Sequence, residues 1–542
     1  LWLWRRYLRY IYYYYSPVAY PGGPMKRRLA RRGKWNDQES TLEPGWVFLH
    51  AEDSHKYTAA KVPEAVMSGE PAGRQMWARL GGEGTAAEVA SSSSTSSSPT
   101  PPPLSFNPSR NPNSSDKLLR AQNIARWEGP HPDEAHAPAT PAAAARKGVA
   151  FYQMLQCADG HWAGDYGGPM FLMPGLIVAH RVMGEDIGDN RRAAMSTYLR
   201  NHQQADGGWG THIECASTMF GSVLCYVALR LLGAPPNDPA VNRGREFIRA
   251  NGGAVYTSSW AKFWLALLGA CEWEGINSVP PEMWLLPRWF PFHPGRLWCH
   301  CRMVYLPMCY LYGARFRHDG AADPVVAALR RELYVEEYDS IDWDATRHLV
   351  SPLDDYSPIH PFMRLAQNVL ALYERWWWRT LGLGPVARRL RARGMRFASE
   401  YMAEEDEQTN YIDIGPVNKV LNWVSAWLAG GRRRDTNAYC RHLQRVDDYL
   451  WVAEDGMKMQ GYNGSQCWDT SFAAQAVVES GLAAEFPGCC RAAWRYFERT
   501  QIPCDETQLK RFFRHVSKGG WPFSTAAHGW PISDCTSEGL KA

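Results

Sequence analysis

The sequence predicts an all-α fold, and three observations support this prediction. From about Ala142 onward the chain consists of amphipathic segments joined by short turns rich in glycine and proline, while strand-like alternation is scarce. A pattern of Gln, Gly and Trp recurs along the chain, as it does in repeat proteins. With 542 residues, 45% of them hydrophobic, the chain has enough material for a large core and more than one domain.

The clearest helical segments are 221–232, 261–270, 417–428 and 470–480. In the repeated pattern an aromatic residue stands five residues before a glutamine, and a glycine and a tryptophan follow. The copies are Gln156, Gly160 and Trp162; Gln203, Gly207 and Trp209; and Gln501, Gly519 and Trp521, the last with an insertion. We expect each Gln amide to bond backbone groups of the next turn, with the Trp covering it. The alternative is a helical solenoid that only binds partners.

Composition excludes some functions. The net charge of +4 is too small to predict nucleic-acid binding. The 25 Trp and 26 Tyr exceed what packing usually requires and indicate ring faces lining an apolar space. Thirteen cysteines without a secretory signal predict reduced thiols in a cytosolic setting. No segment reaches the roughly 20 apolar residues that a helix needs to cross a bilayer.

The N-terminal region differs from the rest of the chain. Residues 1–24 are basic and aromatic and precede the first methionine, Met25, so we expect that they are not native sequence. The alternative is an interfacial membrane anchor. Residues 25–104 are mixed and polar and end in serine-rich and proline-rich runs, a composition predicted to bury no core.

The most informative segment begins at Asp534 and reads Asp-Cys-Thr-Ser-Glu, after an aromatic, glycine-rich approach. An acid beside a thiol and among aromatic rings suits protonation of an apolar substrate that water must not reach. This segment resembles the Asp-Cys-Thr-Ala-Glu element of the oxidosqualene cyclases, with Ser537 in place of the alanine. Further segments between residues 106 and 542 match that family in order, and the Gln/Trp pattern is similar to its QW repeats.

The resemblance implies the domain organisation of two α/α barrels, one inserted into the other. Residues 1–104 are then an extension, 105–165 the first part of the catalytic barrel, 166–460 the inserted barrel and 461–542 the start of the remaining catalytic barrel. Residues 73–77 resemble an N-terminal strand of the family. Because the chain ends six residues after Thr536, we expect a truncated catalytic barrel, no activity of this chain alone, and exposed apolar helix faces that favour aggregation.

The resemblance also implies the roles of site residues. Asp534 is the initiating general acid, kept protonated by burial among rings, and Cys535 is its hydrogen-bonding partner. Aromatic faces stabilise the migrating positive charge, each by about 0.5–2 kcal/mol. The implied cavity lining is Tyr166, Trp260, Trp298, His300, Trp468, Phe523 and Ile532, and the implied constriction of the substrate channel is Cys301 and Tyr305.

The resemblance further implies a product class. Three positions match the cycloartenol-forming type: Tyr462, His528 and Ile532. A neutral His528 and the hydroxyl of Tyr462 are expected to form a polar pair that takes up the last proton, while Ile532 restricts how the final ring lies. Cycloartenol is therefore favoured, with lanosterol the next product.

No metal or redox cofactor is implied, and the implied partner is a lipid substrate, 2,3-oxidosqualene. Adjacent ligands in Cys299-His300-Cys301 make a poor tetrahedral zinc set. The pairs Asp354-Asp355 and Asp447-Asp448 lack a third carboxylate at helical spacing, and we expect them to lie on solvated faces. The alternatives that remain are an inactive fragment or non-catalytic α/α binding module and a protein prenyltransferase β-subunit, whose zinc site also uses a nearby Asp and Cys.

A substrate that lives in the bilayer predicts membrane association without spanning. The segment 280–290 combines Trp, Leu and Phe with few charges, as an interfacial surface would. The alternative for this segment is a buried core helix. The resemblance suggests the cytosolic side of the endoplasmic reticulum membrane or a lipid droplet.

Overall fold

The computed structural model describes residues 40–49, 72–79, 106, 116–356, 360–376 and 384–542, and these ranges are mainly helical. The helices are α1 (Lys117–Arg126), α2 (Pro141–Met154), α3 (Leu172–Met183), α4 (Asp189–Asn201), α5 (Met219–Leu231), α6 (Pro239–Ala250), α7 (Ser259–Leu268), α8 (Cys299–Ala314), α9 (Pro324–Glu332), α10 (Pro361–Trp376), α11 (Gly384–Gln408), α12 (Pro416–Ala429), α13 (Asn437–Val446), α14 (Gln466–Glu479), α15 (Pro487–Thr500) and α16 (Ser533–Lys541). The predicted all-α class is confirmed.

The strands of the described ranges form three small antiparallel pairs. They are β1 (Trp46–Leu49) with β2 (Met76–Arg79), β3 (Trp209–Gly210) with β4 (Ser217–Thr218), and β5 (Leu450–Ala453) with β6 (Gly456–Met459). The β3–β4 pair lies between α4 and α5 and the β5–β6 pair between α13 and α14, whereas β1 and β2 precede α1.

Proline marks the first turn of several helices, namely those that begin at Pro141, Pro239, Pro324, Pro416 and Pro487. Proline suits this position because its missing N–H would have no intrahelical acceptor and its φ is already helical. Three of these helices also have a preceding side chain that accepts backbone N–H bonds: Thr140, Asp238 and Asp323. These local signals explain where the helices start.

The main core is built around α5, in which every residue except Phe220 is buried. A helix that is apolar on all sides is stable in water only when neighbours surround it. Here α3, α6 and α9 pack against α5, and α12 packs against the other side of α3. A second, smaller core lies between α14 and α15 and includes Trp162, Tyr496 and Trp521.

Two parts of the N-terminal region pack into this core, which contradicts the expectation that residues 25–104 bury none. Phe48 of β1 lies opposite Trp77 of β2 with ring centroids 5.4 Å apart, and the two rings contact Trp451 at 5.9 and 5.5 Å. Arg74 pairs with buried Asp448 at 2.6 Å. The region therefore contains short apolar strands, which its polar average composition hid. Residues 1–24 lie outside the described ranges.

The three Gln/Trp copies make the same contacts. Each Gln Nε2 donates to the carbonyl oxygen of the glycine that follows: Gln156 to Gly160 at 2.8 Å, Gln203 to Gly207 at 2.8 Å and Gln501 to Gly519 at 2.9 Å. Each Trp Nε1 donates to a carbonyl at the end of the preceding helix: Trp162 to Tyr152, Trp209 to Leu199 and Trp521 to Phe497. The Trp thus bonds a carbonyl group in the last turn of the helix, and the Gln bonds a carbonyl group in the turn that follows.

The aspartate pairs are not simple solvated faces, so that expectation was wrong for one member of each pair. Buried Asp354 accepts the backbone N–H groups of Met219 and Phe220, each at 2.7 Å, and so caps α5. Buried Asp448 pairs with Arg74 and Arg445. Both carboxylates are held by tertiary partners, which spacing along the chain does not reveal.

Two further observations concern the helices of the described ranges. In those ranges, no helix combines the length and the apolar character that crossing a bilayer requires. Large apolar side chains are exposed on the last three helices: Phe472 and Val478 on α14, Trp494 on α15 and Leu540 on α16.

Candidate active site

A cluster of aromatic rings brings together three of the predicted lining residues, Tyr166, Trp468 and Phe523, with Tyr462, which was predicted from the product class. The ring of Phe523 lies 4.8 Å from that of Tyr462, 4.9 Å from that of Tyr166 and 5.8 Å from that of Trp468, between centroids. Tyr166 and Tyr462 are stacked at 6.0 Å. Three separate parts of the chain therefore meet here: the loop before α3, the turn from β6 into α14, and the loop before α16.

Tyr462 hydrogen-bonds to a histidine, although not to the one expected. Its hydroxyl bonds Nε2 of His300, whose Nδ1 lies 3.4 Å from the Cys299 thiol and whose ring lies 4.4 Å from that of Trp298. Burial, with nearby His528 and Arg302, lowers the pKa of His300 to about 3, so this imidazole is neutral.

His528 lies beside Tyr462 but bonds elsewhere. The two rings are perpendicular, with centroids 5.3 Å apart, and His528 Nε2 lies 3.0 Å from the carbonyl oxygen of Ile414. Tyr462 and His528, expected to form a polar pair, are thus neighbours whose hydrogen bonds go to other groups, Tyr462 to His300 and His528 to Ile414. Burial lowers the pKa of His528 to about 4, although the Ile414 carbonyl favours the charged form. His528 is therefore neutral at pH 7.

The predicted acid lies at the start of α16. Asp534 is in the first turn and exposed, whereas Cys535 is fully buried, because successive residues of a helix point about 100° apart. The expectation that rings bury Asp534 is therefore contradicted within the described residues. Burial, with Cys467 and Asp534 adding to it, raises the pKa of the Cys535 thiol, so the thiol is a donor. Ile532 is the residue before the helix, and its N–H donates to Trp521 at 3.0 Å.

The predicted channel residues, Cys301 and Tyr305, both lie on α8, and the predicted lining residue Trp260 lies on α7. Trp260 Nε1 is 3.3 Å from the Tyr305 hydroxyl, and these two rings meet edge to face at 6.2 Å. Cys301 stands one turn before Tyr305 on α8 and is buried, which raises the pKa of its thiol to about 11. The N-terminal half of α8 thus carries both the His300 contact to Tyr462 and the Tyr305 contact to Trp260.

One buried group of side chains has the composition of a metal site. The ligand-capable atoms of Asp406, Asp413 and His442 lie within 4.8 Å of one another. The Lys419 ammonium, however, lies 2.8 Å from His442 Nδ1 and 3.8 Å from an Asp413 oxygen. A positive charge already balances these carboxyl groups, which disfavours a divalent cation in the same place.

Sequence reasoning missed the residues that orient the two histidines. Cys299 was weighed only as a zinc ligand, and the Ile414 carbonyl belongs to a backbone that no side-chain pattern identifies. The available signal was the resemblance of residues 405–419 to the oxidosqualene cyclases. Nothing in the sequence links that segment to His528.

Comparison with known proteins gives a consistent result. The family model described as the squalene-hopene cyclase N-terminal domain matches residues 146–455. A cycloartenol synthase of Dictyostelium discoideum is 46% identical over 404 residues, which are 74% of this chain and 56% of that protein. A lanosterol synthase of Mus musculus is 46% identical over 400 residues, covering 73% and 53%. An alpha-onocerin synthase of Lycopodium clavatum is 40% identical over 407 residues, covering 73% and 51%. The chain spans about half the length of these curated relatives.

Proposed function

Because this chain belongs to the squalene-hopene and oxidosqualene cyclase family, we propose that it carries the cavity wall and the initiating acid of an enzyme that cyclises 2,3-oxidosqualene. The observation that carries this proposal is the cluster of Tyr166, Tyr462, Trp468 and Phe523. Such faces stabilise a carbocation without a nucleophile that would trap it, each contributing about 0.5–2 kcal/mol.

In the first step, Asp534 protonates the epoxide oxygen, and Cys535 donates a hydrogen bond to the resulting carboxylate. Helix α16 packs on α14, the helix that carries Trp468, so the acid and the ring cluster belong to one region. The ring opens as the proton arrives, and the positive charge passes to carbon beside the aromatic faces. No step in this scheme requires electron transfer.

For the architecture, we propose two α/α barrels, one inserted into the other, and identify the three Gln/Trp copies as QW repeats. The shared hydrogen bonds of Gln156, Gln203 and Gln501 support this assignment. In each copy the pair ties a helix end to the turn that follows, a contact suited to stacking successive helices of a barrel.

The direct test is turnover. The detergent-solubilised protein is incubated with 2,3-oxidosqualene, and the products are identified by gas chromatography with mass spectrometry. A tetracyclic alcohol from the unmodified protein, lost in Asp534→Asn with the circular dichroism spectrum unchanged, supports the proposal. Equal turnover by Asp534→Asn contradicts the assignment of the acid.

A second candidate function is binding of the substrate without turnover, as in a non-catalytic module. The observation that favours it is the exposure of Asp534, because epoxide protonation and the cation that follows need a site from which water is excluded. Saturable binding of oxidosqualene without any cyclised product, equal in the protein and in Asp534→Asn, identifies this function.

For the product, we propose cycloartenol ahead of lanosterol. The two relatives that are 46% identical to this chain are named for these two products, as a cycloartenol synthase and a lanosterol synthase. Neutral His528 and the bonded pair of Tyr462 and His300 supply the polar groups near the ring cluster. In an active preparation, His528→Asn combined with Ile532→Val is expected to move the product toward lanosterol. Lanosterol as the main product of the unmodified protein contradicts the assignment.

We also propose monotopic association with the cytosolic face of the endoplasmic reticulum membrane or of a lipid droplet. Only some of the residues that the sequence suggested for this membrane contact are exposed in the structure. Trp284 is buried among Phe397, Tyr401 and Phe513, whereas Trp289 and Phe292 are exposed. Only the later part of segment 280–290 is therefore available to a membrane.

Helix α10 extends this surface. Its residues Phe362, Leu365, Val369 and Leu372 are exposed at helical spacing, and the ring of Phe362 lies 5.4 Å from that of Phe292. Residues 286–298 and 360–373 contain three arginines and no Asp or Glu. An apolar stripe with basic neighbours is typical of helices that lie in a membrane interface.

Flotation with liposomes tests this surface. Val369→Gln is expected to weaken binding, because it places an amide in the apolar stripe. The matched control is Val335→Gln, since Val335 is exposed to nearly the same extent, 55% against 57%. Equal effects of the two substitutions, or release of the protein by high salt alone, count against the proposed surface.

A further inference from the structure

The loop between α11 and α12 has an unusual backbone. Three of its non-glycine residues have positive φ: Asn410 at 50°, Tyr411 at 60° and Asp413 at 66°. Side chains with a Cβ adopt this conformation only at an energetic cost, so it persists only where the surroundings enforce it. Such conformations are concentrated at functional sites.

The surroundings of residues 409–415 enforce it through buried side chains. Lys419 and Tyr449 donate to the carbonyl oxygens of Tyr411 and Ile412, at 2.8 and 2.9 Å. The side chains of Thr409, Glu405 and Asn418 accept the N–H groups of Asp413, Ile414 and Gly415, at 3.0, 3.2 and 2.8 Å. Every residue from 411 to 415 therefore has a backbone group fixed by a side chain.

The next segment in contact with this loop contains His528. Its Nε2 faces the Ile414 carbonyl oxygen at 3.0 Å. Gly529 lies so close to the Gln408 carbonyl that a Cβ there would approach the oxygen to 2.5 Å. Arg514 donates to the Gly529 carbonyl at 2.7 Å and lies over the Trp530 ring at 3.8 Å. Residues 528–530 are thus held against the loop from both sides.

We propose that the 409–415 loop positions His528. Glu405 and Asn418 hold the backbone so that the Ile414 carbonyl accepts the Nε2–H of a neutral imidazole and leaves Nδ1 as its unprotonated nitrogen. Glu405, Asn418 and Tyr449 are positioning residues in this account, and none of them contacts the substrate. The inference deepens the proposed function and rests on it for the significance of His528.

The physical basis is that a neutral imidazole has one N–H donor and one acceptor nitrogen. A fixed carbonyl oxygen decides which nitrogen carries the proton. Nδ1 of His528 is buried and has no partner at hydrogen-bond geometry within the described residues, while the Trp530 backbone, like the Ile414 carbonyl, raises the pKa of the imidazole. A proton acceptor whose tautomer is set in advance needs no reorganisation when the last proton leaves the substrate cation.

The test reads the tautomer directly, in this chain and without substrate. Protein labelled with ¹⁵N-histidine in detergent is examined by long-range ¹H–¹⁵N spectra, and His528 is assigned by the signals lost in His528→Asn. We expect Nε2 to be the protonated nitrogen, with a downfield proton that exchanges slowly. Glu405→Gln retains an oxygen for the Ile414 N–H and is expected to preserve this signal.

Glu405→Leu removes that oxygen, and the Nε2 proton is then expected to move upfield and to exchange at least roughly tenfold faster. Tyr449→Phe, which loses only a hydroxyl group, is expected to act in the same direction and decides the matter if Glu405→Leu does not fold. The matched control is Tyr226→Phe, which removes a buried hydroxyl bonded to Glu332 and leaves the signal unchanged.

A protonated Nδ1 in the unmodified protein overturns the proposal. So does an unchanged His528 signal in Tyr449→Phe and in folded Glu405→Leu. Because no substrate is present, failure of the cyclase proposal leaves these outcomes unaffected, and the two failures are distinguishable.

Discussion

Replacing Gln203 by methionine tests the physical role of the Gln/Trp copies. The Gln203 amide is fully buried and donates to the carbonyl oxygens of Gly207 and Ala240, both at 2.8 Å. Its oxygen accepts a hydrogen bond from Arg243. Methionine has nearly the same length and flexibility but offers no donor, so Gln203→Met removes the bonds and leaves the volume filled.

The magnitude follows from the two carbonyl groups that lose their donor. Each buried polar group left without a partner costs about 1–3 kcal/mol, so we expect Gln203→Met to lower the free energy of unfolding by about 2–6 kcal/mol. The matched control is Gln501→Met. Gln501 is exposed and donates only to Gly519, so water replaces the amide and the expected loss is below about 1 kcal/mol.

The assay is urea unfolding followed by tryptophan fluorescence, combined with hydrogen exchange read by mass spectrometry on a peptide covering 199–210. We expect a lower midpoint and faster exchange in that peptide for Gln203→Met, because the turn it closes opens more often. An equal loss of unfolding free energy in Gln203→Met and Gln501→Met would refute the reasoning, because burial of the amide would then not determine how much stability its removal costs.

Three other predictions concern buried charge. Burial lowers the pKa of His528 from the 6.5 that is usual for histidine to about 4, so the unfolded state binds a proton first as the pH falls below about 6.5. Between pH 7 and 5 the protein should therefore lose about 2 kcal/mol more stability than His528→Asn, measured by urea titration at both pH values. Asp354→Asn weakens the charged cap of α5 and should lower the stability by about 1–2 kcal/mol, seen as a lower melting temperature. The control Asp355→Asn, at an exposed position, should leave the melting temperature unchanged. Lys458→Met leaves the carboxylates of Asp165 and Asp455 without the ammonium group that pairs with both. It should lower the free energy of unfolding in urea by about 3–5 kcal/mol, whereas the exposed control Lys518→Met should change it by almost nothing.

The helical class and the Gln/Trp contacts could be predicted because both depend on local chemistry. A helix end always leaves carbonyl groups without partners, so a Gln and a Trp at fixed offsets from that end have few other roles. The same locality explains why proline at Pro239 or Pro416 marks a helix start.

Other features depended on contacts between distant parts of the chain. The burial of Trp46 and Trp77 required a pairing of strands across a polar region that the composition hid. Tyr462 and His300 are 162 residues apart, and motif matching placed both near the site without showing that they bond each other. The exposure of Asp534 follows from its position on the outer face of α16, which the motif alone does not define.

The most direct test of the central claim is photoaffinity labelling with a diazirine analogue of 2,3-oxidosqualene, since it reports the cavity whether or not turnover occurs. Labelled peptides are identified by mass spectrometry with and without excess oxidosqualene. The account predicts competed labelling of the peptides that contain Tyr462, Trp468 and Phe523. Labelling confined to other peptides, or labelling there that oxidosqualene does not compete, would contradict it.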